Sequence, residues 1–247
     1  MALFEARELH LRFGDRVVLE NVSLSFEAGR LSGIMGPNGA GKTTCFNVLT
    51  GRYRPDRGRV MFEGVDITGR SPQAIARLGI ARSFQLMNLF DEFTAFENVA
   101  VALPETRQRG HDVLGRAYAT AGLVEHVREI LETVGLGGRA DHSAKALPYG
   151  ERRALEIAVA LAARPKLLFL DEPTAGLGSD GRARLASLVR RLKGRVTLVV
   201  IEHDMDFLFS LADEIAVIHW GQVIARGSPA ELRENPWVRN SSIGRPA

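Results

Sequence analysis

Residues 36–43 read GPNGAGKT, and few eight-residue stretches limit a fold as tightly. The apolar run RLSGIM precedes them and TTCFNVLTG follows, so the segment joins a strand to a helix. Gly39 and Gly41 let successive backbone N–H groups turn inward around phosphate oxygens, where side chains would block the approach. The helix opening near Lys42 adds unpaired N–H groups and its positive end. The Lys42 ammonium has the reach for terminal phosphates, and the Thr43 hydroxyl is placed for Mg²⁺. A glycine turn before an ordinary helix is the bland alternative. It fits the bare pattern better than it fits this strand-and-helix context.

A second stretch, LLFLDE at 167–172, complements the first. A carboxylate rarely closes a buried strand without a partner. Neighbouring side chains on a regular strand face opposite ways, so Asp171 and Glu172 divide the work if the strand stays regular to its tip. Asp171 suits a Mg²⁺ shell, and Glu172 suits orienting and polarising a water. The competing reading is that both merely cap the strand or the turn after it.

The rest of the chain alternates in the same manner. LFEARELHLRF, VLENVSLSF and RLSGIM read as early strands, and RGRVMFEGVDI as a short strand pair. From about residue 71 the pattern turns helical, and Val127, Ile130, Leu131 and Val134 share one helical face. Helix ERRALEIAVALAA, strand KLLFLDE, helix GRARLASLVRRLK, strand VTLVVIEH, helix MDFLFSLA and the hairpin EIAVIHW–QVIARG follow. Strands alternating with helices of this length predict a largely parallel sheet covered by helices. The tail after Asn235 reads as turn-rich. The 247 residues form one domain, 1–247, with a helical insert over approximately 86–160.

Composition narrows the class only slightly. The chain is 45% hydrophobic, enough for a sizeable core, and its net charge of +3 decides little about partners. The single Cys45 excludes an internal disulfide. No apolar run reaches the roughly 18 residues that a membrane-spanning helix needs. His10, His111, His126, His142 and His219 are scattered without metal-ligand spacing.

The motifs, taken in order, resemble the ATPase subunits of ABC transporters along nearly the whole chain. The phosphate loop matches GPNGAGKTT, the glutamine loop Gln85 in ARSFQ, and the signature segment LPYGE at 147–151. Asp171-Glu172 matches the family's acidic strand end, AGLGSD at 175–180 the D-loop, and His203 in VIEHD the switch histidine. The resemblance implies a P-loop NTPase α/β core of the ABC ATPase type, an N-terminal antiparallel β-subdomain and an inserted helical subdomain. It implies ATP and Mg²⁺ as ligands, with Phe13 stacking on adenine. Gly36, Pro37, Asn38, Gly39, Ala40, Gly41, Lys42, Thr43 and Thr44 would contact nucleotide, as would Pro148, Tyr149, Gly150 and Glu151 across a subunit interface. Glu172, His203, Lys42 and Gln85 would serve catalysis, and Thr43, Gln85 and Asp171 the metal.

The bland readings stand beside these. Phe13 also suits a core strand, Gln85 a surface loop, LPYGE a plain helix start and His203 a strand end. Asp204 is expected to fix a local turn. Within the family, FNVLTGRYRPDRGRV, IARSFQLMNLFDEFTAFENVAVA and GSPAELRENPWV most resemble bacterial branched-chain amino acid importers, with urea and short-chain amide importers near relatives. A soluble, non-transport ABC-type ATPase is the alternative class. Pro148 stands where the family usually has Ser, so the signature must lean on backbone N–H groups and Gly150. The chain end NSSIGRPA departs from the group's usual ending.

The importer likeness implies a second ATPase subunit, identical or related, and two transmembrane permease subunits. It further implies an indirect extracytoplasmic solute-binding protein, a place on the cytoplasmic face of the bacterial inner membrane, and no nucleic acid. Phe84, Leu86, Leu89, Phe90 and Phe93 form the expected apolar patch for the permease.

Overall fold

The computed structural model describes residues 2–83, 89–107 and 121–240. Strands β1 (Ala2–Phe13) and β2 (Arg16–Glu27) pair antiparallel, and β4 (Arg57–Phe62) and β5 (Val65–Asp66) extend them in the order β2-β1-β4-β5. β1 buries Phe4 and Ala6, then Leu9 and Leu11, a change from even to odd positions. Glu8 lies between them at φ +51, where the pairing register shifts. β2 makes the matching change between Leu19 and Val22, around Asn21 at φ +56. Each extra residue at a bulge flips the alternation, so these buried side chains reach one face.

The second sheet runs β10-β9-β3-β8-β7-β6. Its members are β3 (Leu31–Met35), β6 (Ile80–Arg82), β7 (Leu167–Asp171), β8 (Thr197–Glu202), β9 (Glu214–His219) and β10 (Gln222–Gly227). All ladders are parallel except that of β9 with β10. Strand parity divides the core in two. Phe169, Val199, Ile201, Ala216 and Ile218 face the first sheet, and Leu168, Leu170, Leu198, Val200 and Val217 face the helical side. Being buried on both faces explains the near-continuous apolar runs of the sequence.

Helix α1 (Lys42–Leu49) fills the gap between the sheets. Its Phe46 meets Phe169 edge-on at 5.9 Å, and Phe4 meets the same ring at 5.6 Å. α2 (Pro72–Arg77) leads into β6, an edge strand that the sequence pattern does not announce because it has only three residues. α3 (Ala95–Ala100), α4 (Pro104–Arg107), α5 (Ala121–Thr133) and α6 (Tyr149–Ala162) supply the helical side. The stripe Val127, Ile130, Leu131 and Val134 is buried there, sharing one core with the sheet.

Four helices complete the described chain: α7 (Ser179–Leu192), α8 (Met205–Phe209), α9 (Pro229–Glu234) and α10 (Pro236–Asn240). Of the tail after Asn235, residues 236–240 are helical where composition predicts turns, and residues 241–247 lie outside the described residues. Ser228 and Glu231 form a capping box that starts α9, and the Asn235 side chain accepts from the Trp237 N–H to start α10.

Candidate functional site

The phosphate-loop sequence sits at the C-terminal end of β3, and its glycines play different parts. A Cβ on Gly36 would stand 2.1 Å from the Ile218 carbonyl oxygen, so β9 leaves room only for hydrogen. Gly41, at φ +99, caps α1 without a side-chain acceptor, and a Cβ there would lie 2.9 Å from the Val18 carbonyl oxygen. Gly39 needs only its φ of +78, since nothing stands near it. Asn38, Gly39 and Thr43 are exposed, Pro37 and Thr44 half-buried, and Ala40 buried. The Ala40 carbonyl accepts from the Gly221 N–H, which ties the loop to the β9–β10 turn.

Lys42 is 5% exposed and donates to the Gly36 carbonyl at 2.7 Å and the Pro37 carbonyl at 3.0 Å. Burial pushes its pKa down, opposed by the charges of Glu172, Asp171 and Glu202. The ammonium is therefore stored on the loop's own carbonyls beside three carboxylates, ready to exchange them for an anion.

Those carboxylates close β7 and β8. Asp171 ends β7 and is 3% exposed. Its N–H donates to Ser83 Oγ at 3.3 Å, whereas Oδ1 is buried without a hydrogen-bond partner. Burial, then Glu172, push its pKa up to about 6, with Glu202 adding to the rise and Arg82 and Lys42 opposing it. Such an orphaned oxygen is what a cation would satisfy. Among the described residues no group of three His, Cys, Asp or Glu side chains is arranged to hold a metal ion by itself. Mg²⁺ does not require one, because it commonly takes one or two carboxylates and keeps water and phosphate oxygens.

Glu172 does not continue the strand. Its φ is +43, and its N–H donates to the Ile201 carbonyl at 2.8 Å. A left-handed non-glycine residue is strained, and at Glu172 a turn replaces the strand pleating that the sequence predicts for the Asp171–Glu172 pair. His203 is half-exposed, and its Nδ1 lies 3.9 Å from both Glu172 Oε1 and Glu202 Oε2. Asp204 does fix the local turn: its carboxylate accepts from the Phe207 N–H and caps α8.

Lys42, Asp171, Glu172 and His203 are thus gathered at the carboxyl ends of adjoining parallel strands, where open α/β sheets bind ligands. Gln85 lies outside the described residues, as do Phe84 and Leu86. Phe13 is 49% exposed at the β1–β2 turn, its ring edge-on to Tyr53 at 5.4 Å. That exposure departs from a core strand residue. Sequence reasoning passed over Tyr53, Ser83 and Glu202. Only Glu202 left a signal: an acidic residue ends the apolar run TLVVIE as Asp171 ends LLFLD.

The segment at 147–151 packs on the turn after Glu172. Tyr149 Oη donates to the Ala175 carbonyl at 3.1 Å, and Glu151 pairs with Arg139 at 3.2 Å. Pro148 is the N-cap of α6 and gives it no side-chain acceptor, leaving its first N–H groups, including that of Gly150, free of a side-chain cap. Farther along, Phe90 is 58% exposed and lies 5.0 Å from the Phe93 ring. Asn98 holds that loop, accepting from the Phe90 N–H and donating to the Phe90, Phe93 and Thr94 carbonyls. Beside it a cleft of ≈ 540 Å³ is lined by Ile80, Arg82, Leu89, Glu156 and Val159 among others.

Known proteins resemble this chain in both sequence and fold. The ABC transporter family profile matches residues 19–175, more than half of the chain. The chain is 39% identical to the high-affinity branched-chain amino acid transport ATP-binding protein BraF of Pseudomonas aeruginosa, covering 98% of each protein. It is 36% identical to the Escherichia coli protein LivG of the same description, again covering 98% of each. Among solved structures, an ATP-binding cassette of an ABC transporter in its ADP conformation superposes with a TM-score of 0.86. Identity is 32%, over 99% of this chain and all of that one. A nucleotide-free cassette gives a TM-score of 0.83 at 31% identity, over 100% of both chains.

Proposed function

The chain belongs to the ABC transporter ATP-binding family, and from that premise we propose that it powers import of branched-chain amino acids through a partner permease. It is an ATPase domain with the fold of its structural neighbours. The observation that carries the catalytic reading is the meeting of Lys42, Asp171, Glu172 and His203 at neighbouring strand ends. The cargo reading rests on relatives matched over nearly their full length, whose descriptions name branched-chain amino acid transport.

In this reading the N–H groups at 36–44 and the Lys42 ammonium hold the phosphates, and Phe13 offers its exposed face to adenine. Thr43 and Asp171, with Gln85, would hold Mg²⁺, which would supply charge neutralisation to the phosphates. Glu172 aligns the attacking water, and His203 senses the γ-phosphate. Catalysis by these groups is mostly positioning and electrostatics. A second ATPase subunit meets this one head-to-tail, so that its Pro148–Glu151 segment closes over the nucleotide bound here. The free N–H groups at the start of α6 then supply what the missing serine hydroxyl does not. ATP is part of that interface, and hydrolysis releases it.

The helical region, approximately 86–160, carries the permease contact. Phe90, Phe93 and the adjoining cleft receive short permease helices, which places the chain peripherally on the cytoplasmic membrane face, with a solute-binding protein acting on the far side.

A tagged Glu172→Gln chain, captured with ATP and Mg²⁺ from detergent-solubilised membranes, tests the proposal. ATP binding should persist, turnover should fall by about 100-fold or more, and an ATP-bound dimer should accumulate. Co-capture of polytopic permease subunits supports the importer, and uptake by those partners of urea or amides instead would change the cargo. Capture of soluble complexes alone, with the dimer formed, would overturn the transport reading.

A further inference from the structure

Glu202 is 0% exposed at the tip of β8, yet its carboxylate is fully engaged. Oε1 accepts from the Thr174 N–H at 2.8 Å and from the Thr174 hydroxyl at 2.6 Å. Oε2 accepts from the His203 N–H at 3.1 Å and, more weakly, from the Asp204 N–H at 3.4 Å. Every partner is a donor. The ionised carboxylate, which only accepts, matches this set, whereas a protonated acid or an amide would turn a donor toward one of those N–H groups. The bond from the Thr174 hydroxyl is short, as expected for one to a charged acceptor.

The two sides of this carboxylate reach different working parts. Thr174 lies two residues beyond Glu172, in a turn closed by the Ala175 N–H to the Glu172 carbonyl at 3.1 Å and the Leu177 N–H to the Thr174 carbonyl at 3.0 Å. Glu172 begins that turn in a left-handed conformation, which persists only where the surroundings over-determine it. On the other side, the backbone of His203 is fixed with its ring 3.9 Å from Glu172. One buried anion therefore ties the strained turn of the proposed water-aligning glutamate to the histidine facing it.

We propose that Glu202 is a positioning residue for ATP hydrolysis, holding the Glu172 turn and His203 in one fixed geometry. It acts through Thr174 on one side and the His203 backbone on the other, not through contact with the nucleotide. This rests on the ATPase reading and on Glu172 as the residue that aligns water.

The test compares the full chain with Glu202→Gln, Thr174→Val and the double variant. The readouts are turnover of ATP, binding of trinitrophenyl-ATP and melting temperature. Glu202→Gln should lower kcat by about 10- to 100-fold while trinitrophenyl-ATP binding changes less than about threefold. Thr174→Val should lower kcat by a smaller factor at a melting temperature close to that of the parent. The double variant should fall no further than Glu202→Gln, because the contact that Thr174→Val removes is one that Glu202→Gln already disrupts. Glu202→Gln turning over like the parent, or the two losses multiplying, would overturn the proposal. If Glu202→Gln does not fold, Thr174→Val decides, and unchanged kcat there overturns it. A parent chain that binds no trinitrophenyl-ATP would instead refute the ATPase reading beneath it.

Discussion

The two halves of the site are built by opposite means. At the end of β3 the loop is shaped by missing side chains: Gly36 presses on β9, and Gly41 on β2. At the ends of β7 and β8 the geometry depends on charged side chains, with Glu202 bridging Thr174 and His203. The first half is short-range in sequence and carries its own instructions. The second is assembled from segments some thirty residues apart, and its strain at Glu172 is held from the neighbouring strand. In the second half, burial pushes the Asp171 carboxyl up, which ties that half to pH.

Breaking the backbone half should have the largest effect. Gly36→Ala drives a Cβ into the Ile218 carbonyl, and we expect a loss of about 4 kcal/mol in stability together with lost nucleotide binding. Denaturant melts and titration with a fluorescent ATP analogue measure both. A variant as stable as the parent would mean that β9 yields and that the contrast between the halves is overstated.

The carboxylate half should respond through pH. Asp171 has its folded pKa raised to about 6 from an ordinary 3.8. A raised acid contributes stability that is fully present below its unfolded pKa and is lost as pH rises through the folded one. The nucleotide-free chain should therefore lose about 3 kcal/mol from this group between about pH 3 and pH 7. Asp171→Asn should flatten that part of the stability curve, raising stability near neutrality while losing Mg²⁺-dependent turnover. Thermal melts across the pH range would show it, and an unchanged curve would remove Asp171 as the cause.

The smallest effect sharpens the difference within the loop itself. Gly39→Ala meets no neighbouring atom and bears only the strain of φ +78, so it should cost about 1 kcal/mol. A loss equal to that of Gly36→Ala would show that conformation matters as much there as contact.

How far the sequence reaches follows the same divide. GPNGAGKT, the double-faced apolar strands and the Val127–Val134 stripe were legible because their causes are local: glycine freedom and periodicities of two and 3.6 residues. The short edge strand β6 was not, since three residues carry no period. The bulges at Glu8 and Asn21 were also hidden, because two ordinary polar residues became left-handed only when both apolar faces had to reach one core. Phe13 read as a stacking aromatic from its place near an early turn, with a core strand as the lesser alternative, and the β1–β2 turn leaves it half-exposed against Tyr53.

The sequence by itself determined that this chain has a phosphate loop between a strand and a helix, a parallel sheet buried on both faces, and the ordered motifs of its family. Each depends on neighbours along the chain. Only the tertiary structure decided that Glu172 leaves its strand in a left-handed turn, that Lys42 rests on the loop's own carbonyls, and that Glu202 joins Thr174 to His203. The physical reason is that a buried charge takes its partners from whatever strand lies beside it, and strand order is set by packing of the whole sheet.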